Sequence, residues 1–181
     1  YLENEAFNIL PELLLKLNIK NKVIPLGHSD GGTIALLYAS KFSINIICTI
    51  SEAGHIYFED FSQKGLKDLV KKYETGDLKE KLMKLHKDKT DKLFYNWTDI
   101  WLSDRLKNWN IIPLLKNITS PILVIQGDSD EYGTNKQVFD IIDNVSTIKE
   151  YKIIEKCGHI PHLSKKLEIL NLCKNFILKC L

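Results

Sequence analysis

Between Val23 and Gly32 an apolar stretch, Val23-Ile24-Pro25-Leu26, runs into Gly27-His28-Ser29-Asp30-Gly31-Gly32, and a helix-like segment follows from Thr33 to Phe42. Few patterns constrain a backbone as strongly. A strand that turns this sharply into a helix leaves Ser29 at the bend with its hydroxyl exposed. The residues two before and two after that serine then crowd each other, so Gly27 and Gly31 are both expected to be steric requirements of the turn. A serine at a helix N-terminus also sits beside free N–H groups and the positive end of the helix dipole, which together can hold a developing oxyanion. The main-chain N–H of Asp30 is the natural first donor.

The remaining elements alternate. Ala6, Phe7, Leu10, Leu13, Leu14 and Leu17 recur at helical spacing before a stop at Asn18, which predicts an amphipathic helix covering one face of a sheet. A first strand is expected over Lys22–Leu26. Ser43–Ile50 is nearly continuous in β-branched residues, as is Pro121–Gly127, and Ile148–Ile154 reads as a fourth strand. Helical patterns cover Asn135–Ile142 and Lys165–Leu181. Alternating strands and helices predict an α/β fold with a parallel sheet and right-handed crossovers, whose ligands bind beyond the C-terminal ends of the strands. With 181 residues, 44% of them hydrophobic, one such domain with an insertion is the natural count.

The insertion spans 54–117, too long for a simple crossover and helical throughout, leaving 1–53 and 118–181 as the core. Its lysines from Lys64 to Lys92 are interleaved with Asp68, Glu74, Asp77, Glu80, Asp88 and Asp91, the pattern of a solvated helix face, which is also expected to expose His86. Phe94, Trp97, Trp101 and Trp109 read either as the aromatic core of a small helical lid or as the wall of a substrate pocket. The net charge of +2, from 25 basic and 23 acidic residues, gives no field suited to nucleic acid or an anionic membrane. Cys48, Cys157, Cys173 and Cys180 lack the C-x-x-C spacing and read as reduced, packed thiols of a cytoplasmic protein. No apolar run approaches the roughly 18 residues that span a bilayer. The sequons at Asn96, Asn117 and Asn144 are read as accidents of composition, since no secretory signal accompanies them.

A serine hydroxyl is a poor nucleophile at neutral pH and needs a base, which in turn needs an orienting acceptor. Strand ends offer two places. Gly127-Asp128-Ser129-Asp130 supplies two carboxylates, either of which could instead cap the helix near Asn135 or shape a turn. Cys157-Gly158-His159-Ile160-Pro161-His162 supplies two imidazoles, His162 lying nearer the final helix. A metal site from Cys157, His159 and His162 has no evident fourth ligand, so neither a metal nor another cofactor is expected. His55, at the exit of the second strand, is a candidate substrate contact or a structural residue. His28 is expected to support the turn and, with Trp97 and Trp101, completes the candidate substrate contacts.

The stretch Gly27-His28-Ser29-Asp30-Gly31 resembles the G-x-S-x-G nucleophile elbow of the alpha/beta-hydrolase family. The resemblance implies a G-x-x-D acid, which selects Asp130 over Asp128, and a Gly-His base at a strand-to-helix loop, which selects His159. It also matches the chain order Ser29, Asp130, His159. Helical insertions at the position of 54–117 commonly form a cap in that family. The implied activity is acyl transfer to water through an acyl-enzyme, with small apolar carboxylic esters as substrates. Lactones, thioesters and carbon–carbon bonds beside a carbonyl remain open, while serine in place of aspartate argues against dehalogenase chemistry. A non-catalytic binding module that kept the fold is the alternative.

The family has strands before the elbow strand, and its second oxyanion donor follows one of them. Neither precedes Lys22 here. The expectation is therefore that this sequence is a fragment whose first strand is an apolar edge, and that a further segment completes the sheet.

Overall fold

In a computed structural model describing residues 1–181, four parallel strands pair in their chain order: β1 (Leu26–His28), β2 (Thr49–Glu52), β3 (Ile122–Gly127) and β4 (Lys149–Ile154). The register sets Leu26 beside Ile50 and Ile50 beside Leu123, with Leu123 beside Glu150. All six β3 residues are buried, as suits a strand packed on both faces. β4 carries Lys149, Glu150 and Lys152 along one edge, charges that discourage further pairing. β1 forms the opposite edge, where Leu26 is 56% exposed.

Helix α1 comprises Leu2–Asn4, a π-helical Glu5–Ile9 and Leu10–Lys16. Helix α2 (Asp30–Phe42) follows β1 and buries Thr33, Ala35, Leu36, Leu37 and Ala39, packing against β1 and β2. The expectation that α1 covers a sheet face is corrected: α2 occupies that face, and α1 packs on α2, burying Leu2 and Ala6 while Leu13, Leu15 and Leu17 stay exposed.

Two strands begin later than their apolar runs. Pairing starts at Val23, bridged to Ile46, but Pro25 has no N–H to donate, and the ladder proper opens at Leu26. Ser43–Asn45 is a 3₁₀ turn rather than strand, with the Ser43 hydroxyl donating to the Ala39 carbonyl at 2.6 Å and Ile44 turned to solvent. β2 therefore starts at Thr49.

The chain divides into two compact units, Phe58–Trp109 and the remainder. Residues 54–57 and 110–117, expected within the insertion, thus lie with the sheet. Their hydrogen bonds explain this. The Ile56 N–H donates to the buried Gln137 side chain at 2.9 Å, Gln137 Nε2 donates to the Tyr57 carbonyl at 3.1 Å, and the Ile111 N–H donates to the Ile56 carbonyl at 2.7 Å. Gln137 belongs to α7 (Asn135–Asn144), which follows α6 (Ile112–Leu115).

The helical unit is built from α3 (Asp60–Thr75), α4 (Leu78–His86) and α5 (Thr90–Leu102). Its interior is aromatic: Tyr73 stacks on Phe94 with centroids 3.7 Å apart, and Trp101 meets Trp109 edge-on at 5.9 Å. Core packing is thus what Trp101, 4% exposed, does.

After β4 come α8 (Pro161–Ser164) and α9 (Lys166–Cys180). Ile169, Cys173 and Phe176 of α9 pack with Cys48, Ile50, Leu123, Ile125, Ile154 and Cys157. All four cysteines are free thiols. Burial in this apolar cluster, with Cys180 nearby, pushes the Cys48 thiol up to about 12. No helix is long and apolar enough to cross a membrane.

Candidate active site

Ser29 stands between β1 and α2 with φ 56° and ψ −123°, a backbone region that a residue with a Cβ enters only at a cost. Two main-chain bonds hold it there: its N–H donates to the Glu52 carbonyl at 2.8 Å, and its carbonyl accepts the Thr33 N–H at 3.0 Å. The bend is as tight at Gly27 as its sequence implies, since a Cβ there would lie 2.0 Å from the Gly31 carbonyl oxygen. Gly31 departs from expectation. A Cβ on it would meet nothing within 4 Å, whereas one on Gly32 would approach the Glu52 carbonyl and the Ser51 hydroxyl at 3.0 Å each. The crowding runs from α2 to β2, so it falls one residue later. Asp30 opens α2, a 13-residue helix, so its N–H lies at the positive end of that dipole.

The ends of β3 and β4 bring the other two residues to the serine. The Ser29 hydroxyl donates to His159 Nε2 at 2.9 Å, and His159 Nδ1–H donates to Asp130 Oδ2 at 2.8 Å and lies 3.0 Å from Oδ1. The Asp130 side chain is fully buried and that of His159 is 10% exposed. Asp130 is well supplied with donors: Gln126 Nε2 reaches Oδ2 at 2.8 Å, and the N–H groups of Tyr132 and Gly133 reach Oδ1 at 2.8 and 3.3 Å. Asp128 has a different occupation. It accepts from Ser129 Oγ at 2.8 Å and from the Cys157 N–H at 3.2 Å, and main-chain N–H groups hold its carboxyl below the usual range.

Three rings surround the His159 imidazole: Tyr132 edge-on at 4.7 Å, His28 at 4.8 Å and His55 stacked at 6.0 Å. His55 is buried, its main chain paired with the Thr33 hydroxyl in both directions. His28 Nε2–H donates to the His159 carbonyl at 2.7 Å, and burial lowers its pKa, which keeps the ring neutral. His162 is turned away from the serine: its main-chain N–H and ring Nδ1–H both reach the Glu52 carboxylate, at 2.7 and 3.0 Å. Trp97 and Trp101 belong to the helical unit.

Glu52, Gln126, Glu131 and Tyr132 were not among the sequence candidates. Two carried a signal. Glu52 is an acid ending a buried strand, and Gln126 is the one amide in a run of apolar β3 residues; a polar side chain so placed needs a buried partner.

A parallel sheet whose strand ends carry serine, acid and histidine in that chain order defines the class: an α/β hydrolase. Within that class the chain belongs to the family described as BAAT / acyl-CoA thioester hydrolase C terminal, whose sequence pattern matches residues 4–162. A proline iminopeptidase of Saccharolobus solfataricus is 24% identical over 217 residues, covering 98% of this chain and 69% of the relative. Among solved structures, a serine hydrolase involved in carbazole degradation, the CarC enzyme, superposes with a TM-score of 0.74 at 19% identity, covering 97% of this chain and 70% of that one. The enol-lactonase of Burkholderia xenovorans LB400 gives 0.67 at 15% identity, covering 98% and 74%.

Proposed function

We propose that this chain carries the catalytic machinery of a serine hydrolase that cleaves carboxylic esters and related acyl substrates through an acyl-enzyme. The unbroken run of hydrogen bonds from the Ser29 hydroxyl through His159 to Asp130 is the observation that carries this reading. Ser29 Oγ attacks the substrate carbonyl carbon while His159 Nε2 takes its proton. The negative charge that develops on the carbonyl oxygen is met by the Asp30 N–H. His159 then returns the proton to the leaving oxygen or sulfur as the tetrahedral intermediate collapses to an ester on Ser29. A water molecule repeats the sequence and releases the acid. Asp130, held by Gln126, keeps the imidazole in the Nδ1–H tautomer and stabilises its charged form.

The family description adds acyl thioesters to the substrates worth assaying, beside small apolar esters. Lactones and carbon–carbon bonds beside a carbonyl lie within reach of the same three groups. We assign the reaction to the cytoplasm on the strength of four unpaired cysteine thiols. A second oxyanion donor is assigned to a segment pairing along β1, an edge flanked by apolar hollows of about 360 Å³ and about 420 Å³.

Labelling with a fluorophosphonate probe tests the chemistry directly. The wild-type chain is expected to label on Ser29 and Ser29→Ala to stay unlabelled, and a panel of chromogenic esters and acyl thioesters then ranks the substrates. Equal labelling of both proteins, or of neither, would leave a binding module as the reading.

A further inference from the structure

The loop between β4 and α8 that carries His159 is held by side chains belonging to the sequence neighbours of both its partners. The His159 carbonyl accepts Nε2–H of His28, the residue before Ser29, at 2.7 Å. The His159 N–H donates to Oε2 of Glu131, the residue after Asp130, at 3.2 Å. We infer that His28 and Glu131 are positioning residues, a two-point clamp on the main chain of His159 that fixes the separations of base from nucleophile and of base from acid. The inference rests on the reading of Ser29, His159 and Asp130 as the reacting relay.

The geometry makes the clamp efficient. Each tether reaches the base's backbone from a residue directly bonded to one of its two partners. A displacement of the β1–α2 bend therefore carries His159 along with Ser29, and a displacement of the β3–α7 loop carries it along with Asp130. Rigid-body movement of either loop therefore preserves the separation between the base and the partner on that loop. This matters because misplacement of a catalytic group by about 1 Å can cost up to roughly a hundredfold in rate.

The His28 ring is suited to the task. It packs between His159 at 4.8 Å and His162 at 5.0 Å, with Glu52 bonded to the latter. Burial keeps it uncharged, so its one N–H is directed at the carbonyl and its other nitrogen carries no proton. On the opposite side, the Glu131 carboxylate lies where a Cβ on Gly158 would come within 3.0 Å of Oε2. A side chain at Gly158 would crowd that carboxylate.

The test compares variants that remove the tether with variants that keep it. His28→Leu removes the donor at similar size, and His28→Gln retains an N–H that can reach the carbonyl. Glu131→Ala removes the acceptor at an exposed position, and Glu131→Gln retains a carbonyl oxygen. Two readouts are followed: the rate of fluorophosphonate labelling, and the low-field proton resonance of His159 Nδ1–H, identified by its loss in His159→Gln. His28→Leu and Glu131→Ala are expected to label about tenfold to a hundredfold more slowly and to lose or broaden that resonance. The two glutamine variants are expected to recover most of both. Folded His28→Leu and Glu131→Ala proteins with wild-type labelling and an unchanged resonance would overturn the clamp. If His28→Leu fails to fold, the Glu131 pair decides alone. A wild-type chain that does not label, yet whose resonance follows the expected pattern, would sink the hydrolase reading and leave the clamp standing.

Discussion

Glu52 holds Ser29 with its main chain, its carbonyl accepting the serine N–H at 2.8 Å, while its carboxylate holds the first turn after the His159 loop through His162. One residue at the end of β2 thus braces Ser29 and the His159 loop at once. The arrangement follows from the parallel sheet, in which neighbouring strands end at the same rim.

Removing the Glu52 carboxylate separates these two duties. Glu52→Ala keeps the bond to Ser29 but strips the acceptor from the His162 N–H and ring. Since Glu52 is only 3% exposed, the loss is expected to cost about 1–3 kcal/mol, read as a lower urea midpoint. Glu52→Gln, which keeps one acceptor oxygen, is expected to fall between alanine and wild type. Equal midpoints for all three proteins would show the carboxylate to be idle.

Gln126 is expected to matter through Asp130. Its Nε2 donates both to Oδ2 of the acid at 2.8 Å and to the Gly133 carbonyl at 3.0 Å, within a strand that is otherwise apolar. Gln126→Leu leaves two buried acceptors short of a donor, so we expect a loss of about 1–3 kcal/mol in chemical denaturation and slower labelling of Ser29. A leucine variant as stable and as reactive as wild type would refute this.

The two glycines flanking the serine are predicted to behave in opposite ways. Gly27→Ala puts a methyl group 2.0 Å from a main-chain oxygen and should prevent the native bend, seen as loss of cooperative thermal unfolding. Gly31→Ala meets open space inside a helix and should be neutral or stabilising by up to about 1 kcal/mol. Similar behaviour of both variants would contradict the geometry described.

These glycines mark where sequence reasoning reaches its limit. Ser29, Asp130 and His159 were legible because each sits in a local signal: a glycine-bounded bend, an acid after an apolar strand, and a Gly-His pair before a helix. The alternation of strands and helices likewise exposed the parallel sheet. Which glycine is crowded is a different question, decided by how closely α2 approaches β2, a distance that no local pattern encodes. Glu131, and the bond that His28 makes to the His159 carbonyl, escaped for the same reason. Their partners are main-chain atoms of a loop far away in the chain, and a main-chain acceptor leaves no mark in a sequence. The β2 boundary was missed because the Ser43–Asn45 turn holds a β-branched apolar residue, Ile44, yet turns it outward, leaving it 81% exposed.

Acid is expected to weaken the fold through His28. Its folded pKa lies below the ordinary value of 6.5, chiefly because burial disfavours the charged ring. The His159 and His162 rings lower it further, while the His159 carbonyl and the Glu52 carboxylate oppose the shift. Below 6.5 the unfolded chain binds a proton that the folded chain refuses, so stability falls as pH drops from 6.5 towards the folded value. His28→Gln should flatten this part of the stability profile. A variant that tracks wild type between pH 7.5 and 5.5 in urea titrations would assign the acid sensitivity elsewhere.

The backbone of Ser29 carries a further implication. A residue held at φ 56° and ψ −123° costs about 1–3 kcal/mol that glycine would not. Ser29→Gly would accordingly trade the hydroxyl that the proposed reaction requires for a more durable scaffold, so that robustness and the proposed chemistry compete at a single position. A descendant that kept the fold as a binding module would become hardier by giving up that one oxygen atom.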